Sequence, residues 1–293
     1  MQALWMVAAA FCFALMGVCI KFASAHYNAA EIIFYRGLIS MALLWWLARR
    51  KSIGLGTQYP LMHAWRSFIG VLSMGFWFYS IGKLPLATAM TLNYMSSLWI
   101  AAFVVGGALM AWRPKAAGDQ PALNIPLVLT VLIGFAGVLL MLRPSMDAEQ
   151  LFAGIIGLLS GLMSAFAYMQ VVALSRIGEP EQRVVFYFAV GSAVAGGLTM
   201  LFTGASPFPG WPALWHIPIG ILATAGQLFM TMAYASATTR RATLVVANLQ
   251  YSGIVFGGLA SIVVFGDQIP AIGWIGMALI VGSGIAATVL RKG

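Results

Sequence analysis

Ten apolar runs, each long enough to cross a lipid bilayer as a helix, follow one another along this chain with only short breaks between them. They cover 3–21, 31–48, 62–82, 87–110, 125–142, 152–175, 184–203, 213–236, 242–265 and 271–290. A helical span needs roughly 20 predominantly apolar residues. Lipid offers backbone N–H and C=O groups no partner, so a spanning segment must be a helix or a strand of a closed barrel. These runs are too long and too evenly apolar for barrel strands. Turn and stop residues mark the breaks, among them Lys83-Leu84-Pro85, Arg113-Pro114, Arg143-Pro144, Gly178-Glu179-Pro180 and Gly266-Asp267 followed by Pro270. The expected fold is all-α and integral to the membrane, with ten transmembrane helices. Composition agrees: at 61% hydrophobic and 8% charged, 293 residues could not cover a water-soluble surface.

A passage near the middle of each half recurs 155 positions later. Tyr79, Ala87, Thr88, Asn93 and Ser97 align without a gap on Tyr234, Ala242, Thr243, Asn248 and Ser252. Each copy starts as one apolar run ends and continues into the next. Phe13-Ala14, Met16 and Val18 likewise recur as Phe166-Ala167, Met169 and Val171. The chain therefore divides into two five-helix repeats, 1–145 and 146–293, within one membrane domain. Five is odd, so the second repeat enters the membrane upside down, and the halves are related by a pseudo-two-fold axis in the membrane plane. Ala23-Ser24-Ala25 resembles a signal-peptidase site. However, no basic residue precedes 3–21 and the run is longer than a usual signal core, so it is read as a span.

The formal charge of +9 sets orientation rather than nucleic-acid binding, because the bases sit at span ends. One side collects Arg49, Arg50, Lys51, Arg113, Lys115, Arg176, Arg183, Arg240, Arg241, Arg291 and Lys292. The other has Lys21, Arg36, Lys83 and Arg143, and Arg66 falls just inside the third span near the first side. That bias places both termini in the cytoplasm. Cys12 and Cys19 lie seven apart on one helix, about 10 Å, too far for a disulfide.

The acids Glu31, Asp119, Asp147, Glu149, Glu179, Glu181 and Asp267 all lie in loops or at span ends. An ion-coupled carrier usually needs a carboxylate in mid-membrane, so the expectation is an uncoupled facilitator. His26, His63 and His216 also sit near span ends and read as structural. No catalytic or metal-binding set and no cofactor motif is expected, which argues against an enzyme.

The spans instead carry neutral polar and aromatic side chains. Asn93 and Ser97 share a helix face, as do Asn248 and Ser252. Such groups need partners in lipid, so they either join helices or line a cavity. Tyr79 and Tyr234 are expected at inversion-related places near opposite ends. Tyr94, Trp99, Tyr168, Gln170, Gln227, Gln250 and Tyr251 lie deeper and are cavity candidates. Trp45, Trp46, Trp112 and Trp211 are assigned to the interfacial belt. Arg36 lies about 7.5 Å deeper than Glu31, on a different helix face. It either snorkels outward or acts as a charged contact. Gly157/Gly161 and Gly253/Gly257 fit close helix packing.

Glu31-Ile-Ile-Phe-Tyr-Arg36 opening the second span, Leu84-Pro85-Leu-Ala-Thr-Ala leading into the fourth, and Phe265-Gly266-Asp267-Gln268-Ile269-Pro270 followed by Gly273, Gly276 and Gly282 make the chain resemble the drug/metabolite transporter superfamily, in its ten-helix EamA-type branch. Within that branch it is most similar to YddG-type amino acid exporters. It departs from the usual pattern at Trp112-Arg113-Pro114, where an acid is common, and at Asp267, where Glu is common. The resemblance implies a central cavity lined by both halves, alternating access and residence in a bacterial inner membrane. The expected partners are the bilayer and a small-molecule substrate, with the chain a monomer or weak homodimer. The function expected first is export of aromatic and other neutral amino acids or similar metabolites. An exporter of cationic drugs or of other metabolites of the same superfamily is the alternative, and a non-transporting membrane scaffold the more distant one.

Overall fold

The structure is a computed structural model that describes residues 2–96, 98–99, 102–103, 125–141, 147–208, 210–238 and 240–290. Among these residues all regular secondary structure is helical. The helices are α1 (Gln2–Ala23), α2 (Ala29–Arg50), α3 (Pro60–Lys83), α4 (Leu86–Asn93), α5 (Ile125–Met141), α6 (Ala148–Arg176), α7 (Glu181–Thr203), α8 (His216–Ala235), α9 (Arg240–Leu249), α10 (Ser252–Phe265) and α11 (Ala271–Leu290). A short 3-10 turn, Trp211–Trp215, leads into α8. Among the described residues, six segments are long and apolar enough to cross a membrane by length and composition: α1, α2, α6, α7, Trp211–Ala235 and Val245–Phe265. The protein is a multi-pass helical membrane protein.

Local chemistry explains the boundaries. Asn28 and Glu31 form a reciprocal capping box that starts α2. Asp147 caps α6 by accepting from the Gln150 backbone at 2.7 Å. Pro85 and Pro180 occupy the caps of α4 and α7. Gly266, at φ 64°, closes α10 in the left-handed conformation that a side chain would strain.

The runs 87–110 and 242–265 were expected to be continuous helices, and the structure interrupts both. The first has a turn at Tyr94-Met95, where Met95 N–H bonds back three residues to Leu92. The second has one at Gln250-Tyr251, where Tyr251 N–H bonds to Asn248 and Gly253 N–H to Gln250. No proline lies at either place. Hydroxyls that bond back into the helix help tighten the turns, Thr91 to Ala87 O at 2.7 Å and Ser252 to Leu249 O at 2.7 Å. Short 3-10 stretches inside longer helices often mark hinges.

Packing runs mainly between the first and second halves of the chain. The most extensive contacts pair α2 with α7, α5 with α11, α1 with α8 and α3 with α6, and α4 packs on α10. Gly161 lets α6 lie directly on the end of α4: a Cβ there would come within 2.5 Å of Leu92 O. The glycines expected to pack closely thus serve contacts within the chain. The surface is apolar where a soluble protein would be polar, with Leu61, Leu201, Phe202, Val263 and Leu139 largely exposed. The polar side chains turn inward, including Ser40, Ser73, Thr91, Asn93, Ser160, Ser192 and both Arg36 and Arg66. Trp45, Trp46 and Trp211 are exposed at helix ends, with Arg49 and Arg50 stacked on the first two. Trp112 lies outside the described residues.

Candidate functional site: a buried polar cavity

Polar side chains from both halves converge on one cavity. Phe13 and Met16 reach it from α1, and Arg36 from α2. Arg66, Gly70, Ser73, Met74 and Trp77 reach it from α3, and Asn93 and Tyr94 from the interruption after α4. Ser164, Ala167 and Tyr168 come from α6, Phe188 from α7 and Gln227 from α8. Its volume of ≈ 60 Å³ holds only a few waters, at roughly 15 Å³ of such volume each. The space is therefore narrow and must widen to admit a metabolite.

One wall is a hydroxyl–amide network. The Asn93 amide donates to Ser160 Oγ at 2.9 Å and Ser164 Oγ at 3.2 Å. Ser73 Oγ donates to Ser160 O at 2.9 Å and lies 2.7 Å from Ser164 Oγ. The network ties the interrupted segment to α3 and α6 and satisfies amide groups that would be costly to leave unpaired.

Two buried arginines also line the space. Arg36 and Arg66 are 2% and 3% exposed. Arg36 Nη1 donates to Ser192 Oγ and Arg66 Nη2 to the Gln227 side-chain oxygen, each at a long 3.4 Å. Both guanidiniums lie over the ring of Phe188, at 5.2 and 4.2 Å from its centre. Among the described residues no carboxylate pairs with either. Arg36 Nε, Arg66 Nε and Nη1, and the nearby Trp77 Nε1 have no hydrogen-bond partner. Each arginine sits roughly 10 Å in from the start of its own helix, and those helices start at opposite ends of the bundle. Two guanidiniums no more than about 9 Å apart repel by at least about 2 kcal/mol at an effective dielectric of about 20. Each buried arginine also costs about 3 kcal/mol in a membrane helix. This placement corrects the reading of both arginines as near-interface residues. The snorkelling alternative for Arg36 fails because helices of the bundle enclose the side chain.

The structure brings Arg36, Asn93, Tyr94, Tyr168 and Gln227 together and separates the other candidates. Tyr234 is adjacent, its ring 6.3 Å from that of Tyr168 and its hydroxyl accepting from Gln250 at 3.0 Å. Trp99 donates to Leu158 O at 3.3 Å and packs edge-on against Phe135. Tyr79 faces a separate outward groove of mostly apolar residues, edge-on to Phe152. It is thus not placed like Tyr234. Gln170 and Asn248 are half-buried and do not line the cavity. Tyr251 is buried against Gly284, and Ser252 bonds to its own helix. Ser97 lies outside the described residues.

Arg66, Ser73, Trp77 and Ser164 were missed as site residues. A signal for the first three was present. Arg66, Gly70, Ser73 and Trp77 follow the four-three-four spacing of one helix face. Ser160 and Ser164 continue the face of Gly157 and Gly161 in the same way.

Polar ties hold both ends of the bundle. At one end, Glu179 between α6 and α7 accepts from Thr57 at 2.9 Å and from Arg183 at 3.2 Å, and lies 3.2 Å from His63 Nε2. Arg183 also donates to Gly54 O at 2.7 Å. At the other end, Lys21 pairs with Asp267 at 3.4 Å, and Ser261 donates to the same carboxylate at 2.6 Å. There too, Glu31 accepts from the Ser206 backbone and hydroxyl, each at 2.7 Å.

A narrow cavity with polar side chains inside an apolar helical bundle is the arrangement of a membrane transporter for small metabolites, and similar proteins are of that class. The chain is 29% identical to the pseudopaline exporter CntI of Pseudomonas aeruginosa, over 98% of this chain and 95% of that one. It is also 29% identical to an uncharacterized transporter of Helicobacter pylori, over 94% and 90%. Identity to a riboflavin transporter of Rhizobium johnstonii is 25%, over 97% and 89%. No family model matches. A solved crystal structure superposes with a TM-score of 0.66 at 17% identity, covering 99% of this chain and 97% of the other, a likeness of fold.

Proposed function

We propose that this protein exports amino acids or similar small metabolites across a bacterial inner membrane by alternating access, without obligatory ion coupling. The observation that carries this reading is the buried polar cavity, to which α1–α4 and α6–α8 all contribute. Two five-helix halves of opposite orientation, with both termini cytoplasmic, provide the moving parts. The packing pattern supports such an arrangement. Under an inverted repeat the first helix corresponds to α6 and the third to α8, so the α1–α8 and α3–α6 contacts are the same contact seen twice. The α2–α7 and α5–α11 pairs then lie on the pseudo-axis. The interruptions at Tyr94-Met95 and Gln250-Tyr251 fall at corresponding places and supply hinges.

The names of the relatives favour organic solutes over inorganic ions. The uncoupled reading rests on where the acids are held: Glu31, Glu179 and Asp267 are all engaged at helix ends. The cationic-drug alternative is disfavoured because the cavity presents two guanidiniums.

Counterflow in liposomes containing the purified protein tests the reading. Exchange of radiolabelled amino acids is expected without an imposed proton or sodium gradient. Absence of exchange for every amino acid tested would sink amino acid transport, and a strict requirement for an ion gradient would sink the uncoupled mechanism.

A further inference from the structure

We infer that the cavity selects solutes bearing two carboxylates, one for each of Arg36 and Arg66. This rests on the transport reading above and names its substrate class. The unsatisfied groups around the space are all donors: Arg36 Nε, Arg66 Nε and Nη1, and Trp77 Nε1. None of the described residues that line it is acidic. The guanidiniums are enclosed by protein and have only long, neutral hydrogen bonds, so they keep donor capacity for a ligand. A carboxylate is the group whose two oxygens match a guanidinium edge. Because both Cζ atoms lie over the Phe188 ring, their separation cannot exceed the sum of their distances to its centre. A short dicarboxylate spans such a gap, and its carbon chain can rest against Phe188, Met74 and Trp77.

The empty site holds two like charges close together, and a dianionic group pair cancels the repulsion. A substrate of this class also explains outward flux without ion coupling. An inside-negative membrane potential drives a net anion out of the cell.

The test uses the full chain. In detergent, tryptophan fluorescence reports binding of succinate, glutarate, adipate and L-glutamate, each compared with its side-chain or mono-amide, and of glycerol phosphate. At least one dicarboxylate is expected to bind tenfold or more tightly than its amide, with Arg36→Gln and Arg66→Gln each abolishing the difference. Both variants are expected to fold with an unchanged or higher Tm, because each removes an unpaired buried charge. A fall in Tm with no loss of charge discrimination would assign the arginines a packing role and overturn the inference. Tighter binding of glycerol phosphate than of any dicarboxylate would overturn it in favour of a phosphate site. In liposomes, efflux of the bound dicarboxylate should accelerate under an inside-negative potassium diffusion potential. Counterflow of neutral amino acids without dicarboxylate binding would overturn this inference and leave the transport reading intact. No flux of either kind would overturn both.

Discussion

Arg36 and Arg66 approach the same aromatic ring, that of Phe188, from two helices that start at opposite ends of the bundle. The separation in sequence hides this meeting. Its consequence is a cavity with surplus hydrogen-bond donors and surplus positive charge, poised to receive an anion. The rest of the lining positions that pair and bounds the space around it.

Asn93 holds the interrupted segment through Ser160 and Ser164. Asn93→Leu leaves those hydroxyls without their donor and is expected to cost about 1–2 kcal/mol of stability. Flux should fall further than the folded yield, by tenfold or more. Counterflow rates compared with thermal unfolding in detergent separate the two effects, and equal losses would mean a packing role alone.

Gly253 faces Tyr94. A Cβ at Gly253 would come within 2.6 Å of the Tyr94 hydroxyl and 2.7 Å of its ring. Gly253→Val must displace the ring from its place in the cavity wall, with an overpacking cost of about 1–3 kcal/mol. Transport is expected to drop, and Tyr94→Phe in the same chain should restore little, because the ring carbons clash as well. Full recovery in the double variant would contradict this.

Glu179 gives a pH dependence whose direction follows from its contacts. Burial pushes its carboxyl up, but hydrogen bonds from Thr57 and His63 and the Arg183 guanidinium outweigh this and hold it below the usual range. A carboxylate held low in the folded state contributes stability fully above its unfolded pKa, about 4.3. That stability is lost as pH falls through the folded value. The Glu179 contribution, read as the Tm difference from Glu179→Gln, should therefore hold from pH 7 to 5 and vanish below about pH 4. Glu179→Gln should lower Tm at neutral pH and flatten the acid limb; a variant with the wild-type profile would remove Glu179 as the cause.

Lys21 and Asp267 form the weaker tie. Their side chains are 20% and 21% exposed and 3.4 Å apart, so screening limits the pair to below about 1 kcal/mol. A double-mutant cycle of Lys21→Ala and Asp267→Ala, read by thermal unfolding, should give a coupling within that bound that shrinks in high salt. A salt-insensitive coupling of several kcal/mol would contradict it.

Much of the helical framework was legible before any coordinates. The run 271–290 begins where α11 begins, and α1, α2 and α6 differ from the expected spans by a few residues at their ends. Proline, glycine and charge punctuate the chain so strongly that helix ends are local properties. The interruptions at Tyr94-Met95 and Gln250-Tyr251 were not legible, because no proline marks them and the apolar pattern runs straight through.

The sequence by itself determined an all-helical membrane chain with its acids at helix ends and its polar side chains scarce enough to need inward-facing partners. Only the tertiary structure decided which of those side chains meet. Tyr79 turns to an outer groove while Tyr94 lines the cavity, and Arg66 joins Arg36 at Phe188 although helix ends alone had placed it near an interface. The reason is physical. In lipid, the face a helix shows the bilayer is as apolar as the face it packs inside, so hydropathy does not reveal which way a helix is turned. That rotation is fixed by contacts such as α6 lying on α4 at Gly161, formed between segments far apart in the chain.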